Sequence, residues 1–112
     1  MSGPGQDSVL EGLTGELRRG SLVIAVLCGL QEERSGGALK VRLAESGVTI
    51  TEGALYPMLR RLEAQGLLQS QWRIHESRKK RFYLLTAEGQ RARDFLLSDW
   101  RTFDKAFEGL KS

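Results

Sequence analysis

Several residue types that chemistry depends on are scarce in this chain. Its 112 residues include one histidine, one cysteine and two prolines. One cysteine rules out an intrachain disulfide. His75, flanked at short range by Arg73 and Arg78, lacks the further ligands that a metal site takes. No carboxylates pair at a telling spacing, and no glycine-rich phosphate loop is present. No catalytic residue, cofactor or metal is therefore expected, and the chain does not read as an enzyme. Long apolar runs are missing too. The run from Leu22 to Leu30 falls short of the roughly 20 residues that cross a bilayer. It lies well inside the chain, without a secretory charge pattern or a small-residue cleavage site, so a cytoplasmic protein with no membrane partner is expected. Internal repeats and low-complexity tracts are absent.

The composition that remains is that of one small globular domain, with 40% hydrophobic and 28% charged residues. The net charge of +3 is unevenly spread. Between Tyr56 and Thr86 stand Arg60, Arg61, Arg73, Arg78, Lys79, Lys80 and Arg81 against only Glu63 and Glu76. The rest of the chain is mildly acidic. A basic block in an acidic frame suggests a localised polyanion site, and a plain solvated surface is the alternative.

Apolar periodicity divides the chain into six elements. Residues 1–12 read as a flexible leader outside the fold. A first helix is expected from Leu13 or Leu17 to Gln31, with a middle that is apolar on every face and so buried on several sides. Cys28 within it reads as a small buried thiol, a redox sensor being the alternative. A second helix is expected over 36–45, with Leu39, Val41, Leu43 and Ala44 inward and Gly47 suited to a left-handed cap. Thr51 then caps a third helix, in which Leu55, Met58, Leu59 and Leu62 follow i, i+3, i+4, i+7 spacing. Pro57 removes one backbone hydrogen bond, and Gly66 ends the helix.

Residues 67–74 alternate as a strand, with Leu68, Ser70, Trp72 and Ile74 on the inward side, which makes Trp72 a core residue. A tip at 75–79 leads to a return strand at 80–85. Thr86 caps a last helix that runs to about Leu110. Its Trp100, Phe103, Phe107 and Leu110 follow the 3, 4, 3 spacing of a coiled-coil seam.

A helix followed by a basic hairpin is the arrangement with which a winged helix-turn-helix holds duplex DNA. Small Gly53 and Ala54 let the start of the third helix approach a groove. Tyr56 suits a phosphate or a thymine methyl, with packing on the hairpin as the bland reading. Arg60 reaches a phosphate or a guanine edge. Arg61 projects to the flank, where it either joins the DNA face or pairs with Glu63 or Glu45. Arg78, Lys79 and Lys80 follow the neighbouring backbone. The seam on the last helix is too apolar for a solvated monomer. With Leu22 and Val26 of the first helix and Leu96, it is read as a twofold dimer interface that presents two third helices to two half-sites. Trp100 is ordinary dimer core or, alternatively, one wall of a site for a planar ligand.

These residues resemble the PadR family of bacterial transcriptional regulators. The resemblance is carried by Glu16-Leu17-Arg18-Arg19-Gly20-Ser21-Leu22 and by Gly53-Ala54-Leu55-Tyr56-Pro57 with Leu59, Arg61-Leu62-Glu63 and Gly66-Leu67-Leu68. It continues through Ser70, Trp72, Arg81-Phe82-Tyr83, Leu85-Thr86, Gly89 and Trp100. It implies the short subfamily: a mainly α fold with a small β-hairpin wing, in which a winged helix-turn-helix at 13–86 is joined to one C-terminal dimerisation helix at 87–112. It further implies a homodimeric repressor on a palindromic operator, acting on detoxification, efflux or stress genes, with release by a phenolic or flat aromatic effector in some members. By motif match, Thr51, Gly53, Tyr56 and Pro57 are recognition-helix positions, Arg78 to Lys80 are wing positions, and Trp100 lines a dimer-centre cavity.

Two departures stand out. Ser35-Gly36-Gly37-Ala38-Leu39 replaces the usual tyrosine-glycine-tyrosine opening of the second helix, and Ala54 stands where threonine or serine is common. The competing function is a winged-helix adaptor for an acidic protein partner; such a module would expose an apolar patch on its third helix.

Overall fold

The computed structural model describes residues 4–112. The elements run α1 (Pro4–Gly29), β1 (Arg34–Ser35), α2 (Gly36–Glu45), α3 (Glu52–Ala64), β2 (Leu68–His75), β3 (Arg78–Leu85) and α4 (Ala87–Lys111). This is the expected mainly α fold with a hairpin wing and a long last helix.

Capping chemistry sets most of the boundaries. The hydroxyls of Ser35, Thr51 and Thr86 accept from the backbone N–H groups of Ala38, Ala54 and Gly89 at 3.2, 3.2 and 3.0 Å. Each satisfies a donor that the first helical turn leaves unpaired. At the other end, α2 and α3 stop in the same way. Val48 N–H donates to the Leu43 carbonyl at 2.8 Å, and Leu67 N–H to the Leu62 carbonyl at 3.0 Å. Gly47 and Gly66 supply the positive φ, 91° and 82°, that this reversal requires.

The core gathers Val26, Leu27 and Leu30 from α1, Leu39 and Leu43 from α2, and Leu55, Met58, Leu59 and Leu62 from α3. Ile50, Leu68, Tyr83 and Leu85 complete it. Each fully buried leucine contributes about 2 kcal/mol by removal from water. The inward stripe of α3 is the one expected from its spacing.

The three-stranded sheet has the order β1-β3-β2, and both pairings are antiparallel. Trp72 pairs with Arg81, Ile74 with Lys79 and His75 with Arg78. Only Glu76 and Ser77 form the tip, with φ of 53° and 64°. Positive φ at both turn positions matches the right-handed twist of a two-residue hairpin. The basic residues expected in a tip loop therefore stand on β3, in regular strand geometry.

The structure corrects several expectations. The first helix begins at Pro4, so 4–12 are helical rather than leader; residues 1–3 lie outside the described residues. Val9, Leu10, Leu13 and Leu17 extend an apolar stripe through these turns at helical spacing. β1 is an addition, too short to carry a periodic signal. Val41 and Ala44 face solvent, because the inward face of α2 is only Leu39 and Leu43 with Gly36. Cys28 is exposed rather than buried, on the side of α1 away from Val26 and Leu27. Val26 is fully buried within its own protomer and so drops out of the dimer set. Trp72 and Ile74 are exposed because the hairpin outruns the core beneath it.

Candidate nucleic-acid interface

The outward side of α3 is small near its start and basic farther along. Thr51, Gly53, Ala54, Pro57, Arg60 and Arg61 are exposed, and Tyr56 is half-buried. No large hydrophobic residue on α3 is exposed. The Thr51 hydroxyl accepts the capping bond from Ala54 and keeps its own proton to donate. The Tyr56 ring lies over Gly36. A Cβ on that glycine would come 2.6 Å from Tyr56 Cε1 and 2.9 Å from its hydroxyl oxygen, inside van der Waals contact. The glycine in the unusual opening of α2 thus makes room for the α3 tyrosine. Tyr56 packs inward against the core and also lines the cleft beside the wing.

The wing's basic residues fall into two groups. Arg73 makes a two-pronged ion pair with Glu33, its Nη2 donating to Oε2 at 2.8 Å. Arg81 donates from Nε to Ser70 Oγ at 2.8 Å and from Nη2 to Glu63 Oε1 at 3.3 Å, while Ser70 donates to Glu63 Oε2 at 2.7 Å. These bonds tie the hairpin to the segment after α1 and to the inner flank of α3. They fix the orientation of the wing more than they stabilise the domain, since each pair is partly exposed. Arg60, Arg61, Arg78, Lys79 and Lys80, by contrast, have no carboxylate within 4 Å among the described residues. Arg61 therefore pairs with neither Glu63 nor Glu45. Arg18, Arg19, Arg42, Arg101 and Lys105 lack such a partner too, but they are spread over α1, α2 and α4, whereas the former five are concentrated on α3 and the wing, which pack against each other.

Between them opens a cleft of about 450 Å³ lined by Tyr56 and Arg60 on one wall, Trp72, Lys79, Lys80 and Arg81 on the other, and Gly36 and Tyr83 near its base. Burial pushes the Tyr83 phenol above its ordinary value, with Arg81 pulling the other way. Tyr83 thus stays neutral at physiological pH and serves as packing. Sequence reasoning does not find Trp72 as a site residue, because alternation gives only the side of the strand it occupies.

The other sequence-predicted residues gather on a separate part of the fold, along α1 and α4. Trp100, Phe103, Phe107 and Leu110 are exposed, and Leu22 and Leu96 are half-buried between helices and core. The Phe103 and Phe107 rings stack with centroids 5.9 Å apart. Leu17 and Ile24 join Leu96, Trp100, Phe103 and Phe107 around a largely apolar groove of about 360 Å³. The exposed Val9, Leu10 and Leu13 continue the apolar character toward the start of α1. No group of three or more metal-ligating side chains occurs among the described residues. Among the same residues, no helix is long and apolar enough to cross a membrane.

Fold and site together define a winged helix-turn-helix protein with a cationic face, the class that binds duplex DNA. Comparison with known proteins narrows the class. Residues 23–94 match the transcriptional regulator PadR-like family. The transcriptional regulator Rv3488 of Mycobacterium tuberculosis is 36% identical over 78 residues, covering 69% of this chain and 73% of that protein. A PadR family transcriptional regulator from Eggerthella lenta has the same fold at a TM-score of 0.86, with 36% identity and 98% of each chain covered. Bacillus subtilis PadR, crystallised with operator DNA, shares the fold at a TM-score of 0.64 and 24% identity, over 69% of this chain and 47% of that one. The chain belongs to the PadR-like family of DNA-binding transcriptional regulators, which are not enzymes.

Proposed function

We propose that the protein is a homodimeric, sequence-specific repressor that binds a palindromic operator. α3 enters the major groove, with Gly53 and Ala54 allowing close approach and Tyr56 and Arg60 reaching base edges or phosphates. Thr51, Pro57 and Arg61 flank it. Arg78, Lys79 and Lys80 on the wing follow the adjoining backbone. The observation that carries this reading is the convergence of cations on one cleft: Arg60, Lys79, Lys80 and Arg81 line it together, and of these only Arg81 has an acidic partner among the described residues. The absence of an exposed large hydrophobic on α3 favours DNA over an acidic protein partner, since an adaptor helix would offer an apolar patch.

α4 and α1 join two protomers through Trp100, Phe103, Phe107 and Leu110, with Leu22 and Leu96 at the inner margin and the exposed stripe of early α1 extending the interface. A flat aromatic effector seated at Trp100 in the apolar groove would alter the spacing of the two α3 helices and release the operator. Promoters of stress, efflux or detoxification genes are the targets this implies, and the compartment is the cytoplasm.

Footprinting on the DNA upstream of the chain's own gene tests the reading. Protection of two symmetry-related half-sites, weakening steeply as salt rises, is the expected result. Indifference to that DNA, together with no retention on random duplex in dilute buffer, would overturn it in favour of the adaptor.

A further inference from the structure

The inner side of the hairpin is continuous from core to solvent. Leu68 pairs with Leu85, Ser70 with Tyr83, Trp72 with Arg81 and Ile74 with Lys79. These residues share one face, because strand side chains alternate. Leu68, Leu85 and Tyr83 are buried under α3, yet Trp72 farther out is 56% exposed. The arm therefore carries an indole beyond the end of the core, facing the cleft that α3 borders.

What surrounds this indole is cationic. Lys79 Nζ and the Arg81 guanidinium each lie 5.5 Å from the centre of the ring. Arg60 stands on the opposite wall, with Tyr56 beside it. Arg81 is held by Glu63, whereas Arg60 and Lys79 have no acidic partner among the described residues. An exposed aromatic with one unpaired cation, Lys79, beside it and another, Arg60, across the cleft matches a sugar–phosphate strand. The anionic oxygens meet the cations, and the apolar face of a deoxyribose meets the ring.

When α3 occupies a major groove and the wing lies on the neighbouring backbone, one strand must pass between them. We infer that this strand runs through the cleft, with the Trp72 indole packed on one of its deoxyriboses and Arg60 and Lys79 on the phosphates to either side. The inference rests on the duplex-binding reading above and adds to it an interaction that carries no charge.

That difference in charge makes the interaction testable. Trp72→Ala removes apolar packing and releases no counterion, so affinity should fall about tenfold at every salt concentration with the salt slope unchanged. Arg60→Ala should instead lower the slope by about one. Trp72→Phe keeps a ring and should retain affinity within about twofold. Duplex titrated into the wild-type protein should quench tryptophan emission, and Trp72→Phe should abolish the quench while still binding. Thermal unfolding of each variant checks that the fold is intact, and an exposed side chain should shift it little.

If the wild-type protein fails to bind duplex at all, the regulator reading fails. If it binds and Trp72→Ala binds equally well, or the quench persists in Trp72→Phe, only the packing of Trp72 on the strand is overturned. A Trp72-dependent quench by a mononucleotide, with none by duplex, would also overturn it by making the cleft a small-molecule site.

Discussion

The two working faces of this molecule leave opposite kinds of groups without partners. On α3 and the wing, charge is left over: Arg60, Arg61, Arg78, Lys79 and Lys80 face outward with no carboxylate beside them among the described residues. On α1 and α4, apolar surface is left over: Leu17, Trp100, Phe103, Phe107 and Leu110 are exposed. Surface charge is stabilised by water and disperses readily, so the first face stays soluble alone and binds a polyanion in a salt-dependent way. Apolar surface gains by leaving water, so the second face favours permanent cover. In the proposed reading, transient and lasting associations are thus separated onto different elements.

Putting a charge on the apolar face should disturb this division most. Trp100→Asp should raise the dimer dissociation constant more than about 100-fold, since an unpaired carboxylate at an apolar interface costs several kcal/mol. Analytical ultracentrifugation should show monomers, and a dimer of undiminished stability would remove Trp100 from the interface. Removing charge from the cationic face comes next. Replacing Arg78, Lys79 and Lys80 by alanine should weaken binding to all sequences and lower the salt slope by about one for each phosphate that these side chains neutralise. An unaltered slope would show that the wing does not touch the backbone.

A finer test separates the two glycines that open α2. Gly36→Ala must displace the Tyr56 ring and should destabilise the domain by about 1–3 kcal/mol while weakening DNA binding. At Gly37 a new methyl group meets nothing within 4 Å, so Gly37→Ala should be neutral or slightly stabilising in thermal melts. Equal melting temperatures for the pair would show that Tyr56 does not need the space.

The smallest expected effect concerns Cys28, which belongs to neither face. Although the residue is exposed, protein atoms packed around the thiol partly desolvate it and raise it above the ordinary cysteine value, with Arg93 acting in the opposite direction. A raised value leaves less thiolate at neutral pH, so alkylation should be slower than for a free cysteine and should accelerate as pH rises through the shifted range. A rate at neutral pH matching or exceeding that of free cysteine would contradict the shift.

Much of this arrangement is legible in the chain itself. Thr51, Thr86, Gly47 and Gly66 mark helix ends through local hydrogen bonds and backbone preference, which act within a few residues. The stripe Leu55, Met58, Leu59 and Leu62 needs only helical periodicity, and those residues are buried as expected. The cationic group on α3 and the wing is legible from charge density. Val26 and Trp72 are not. A helix segment apolar on every side does not reveal which side meets its own core, and Val26 meets it. Alternation places Trp72 on the inner face correctly but says nothing of where the opposing helix stops.

The kinds of element, their order and the chemistry each can offer are written into the linear chain, because caps, periodicity and charge act over a few neighbouring residues. How those offers are used is settled by packing in three dimensions. It pairs Arg81 with Glu63 and Arg73 with Glu33, leaves Arg60 and Lys79 facing the cleft, and carries Trp72 past the last buried residue. Such outcomes depend on where separate elements end relative to one another in space, a property that no local stretch of chain contains.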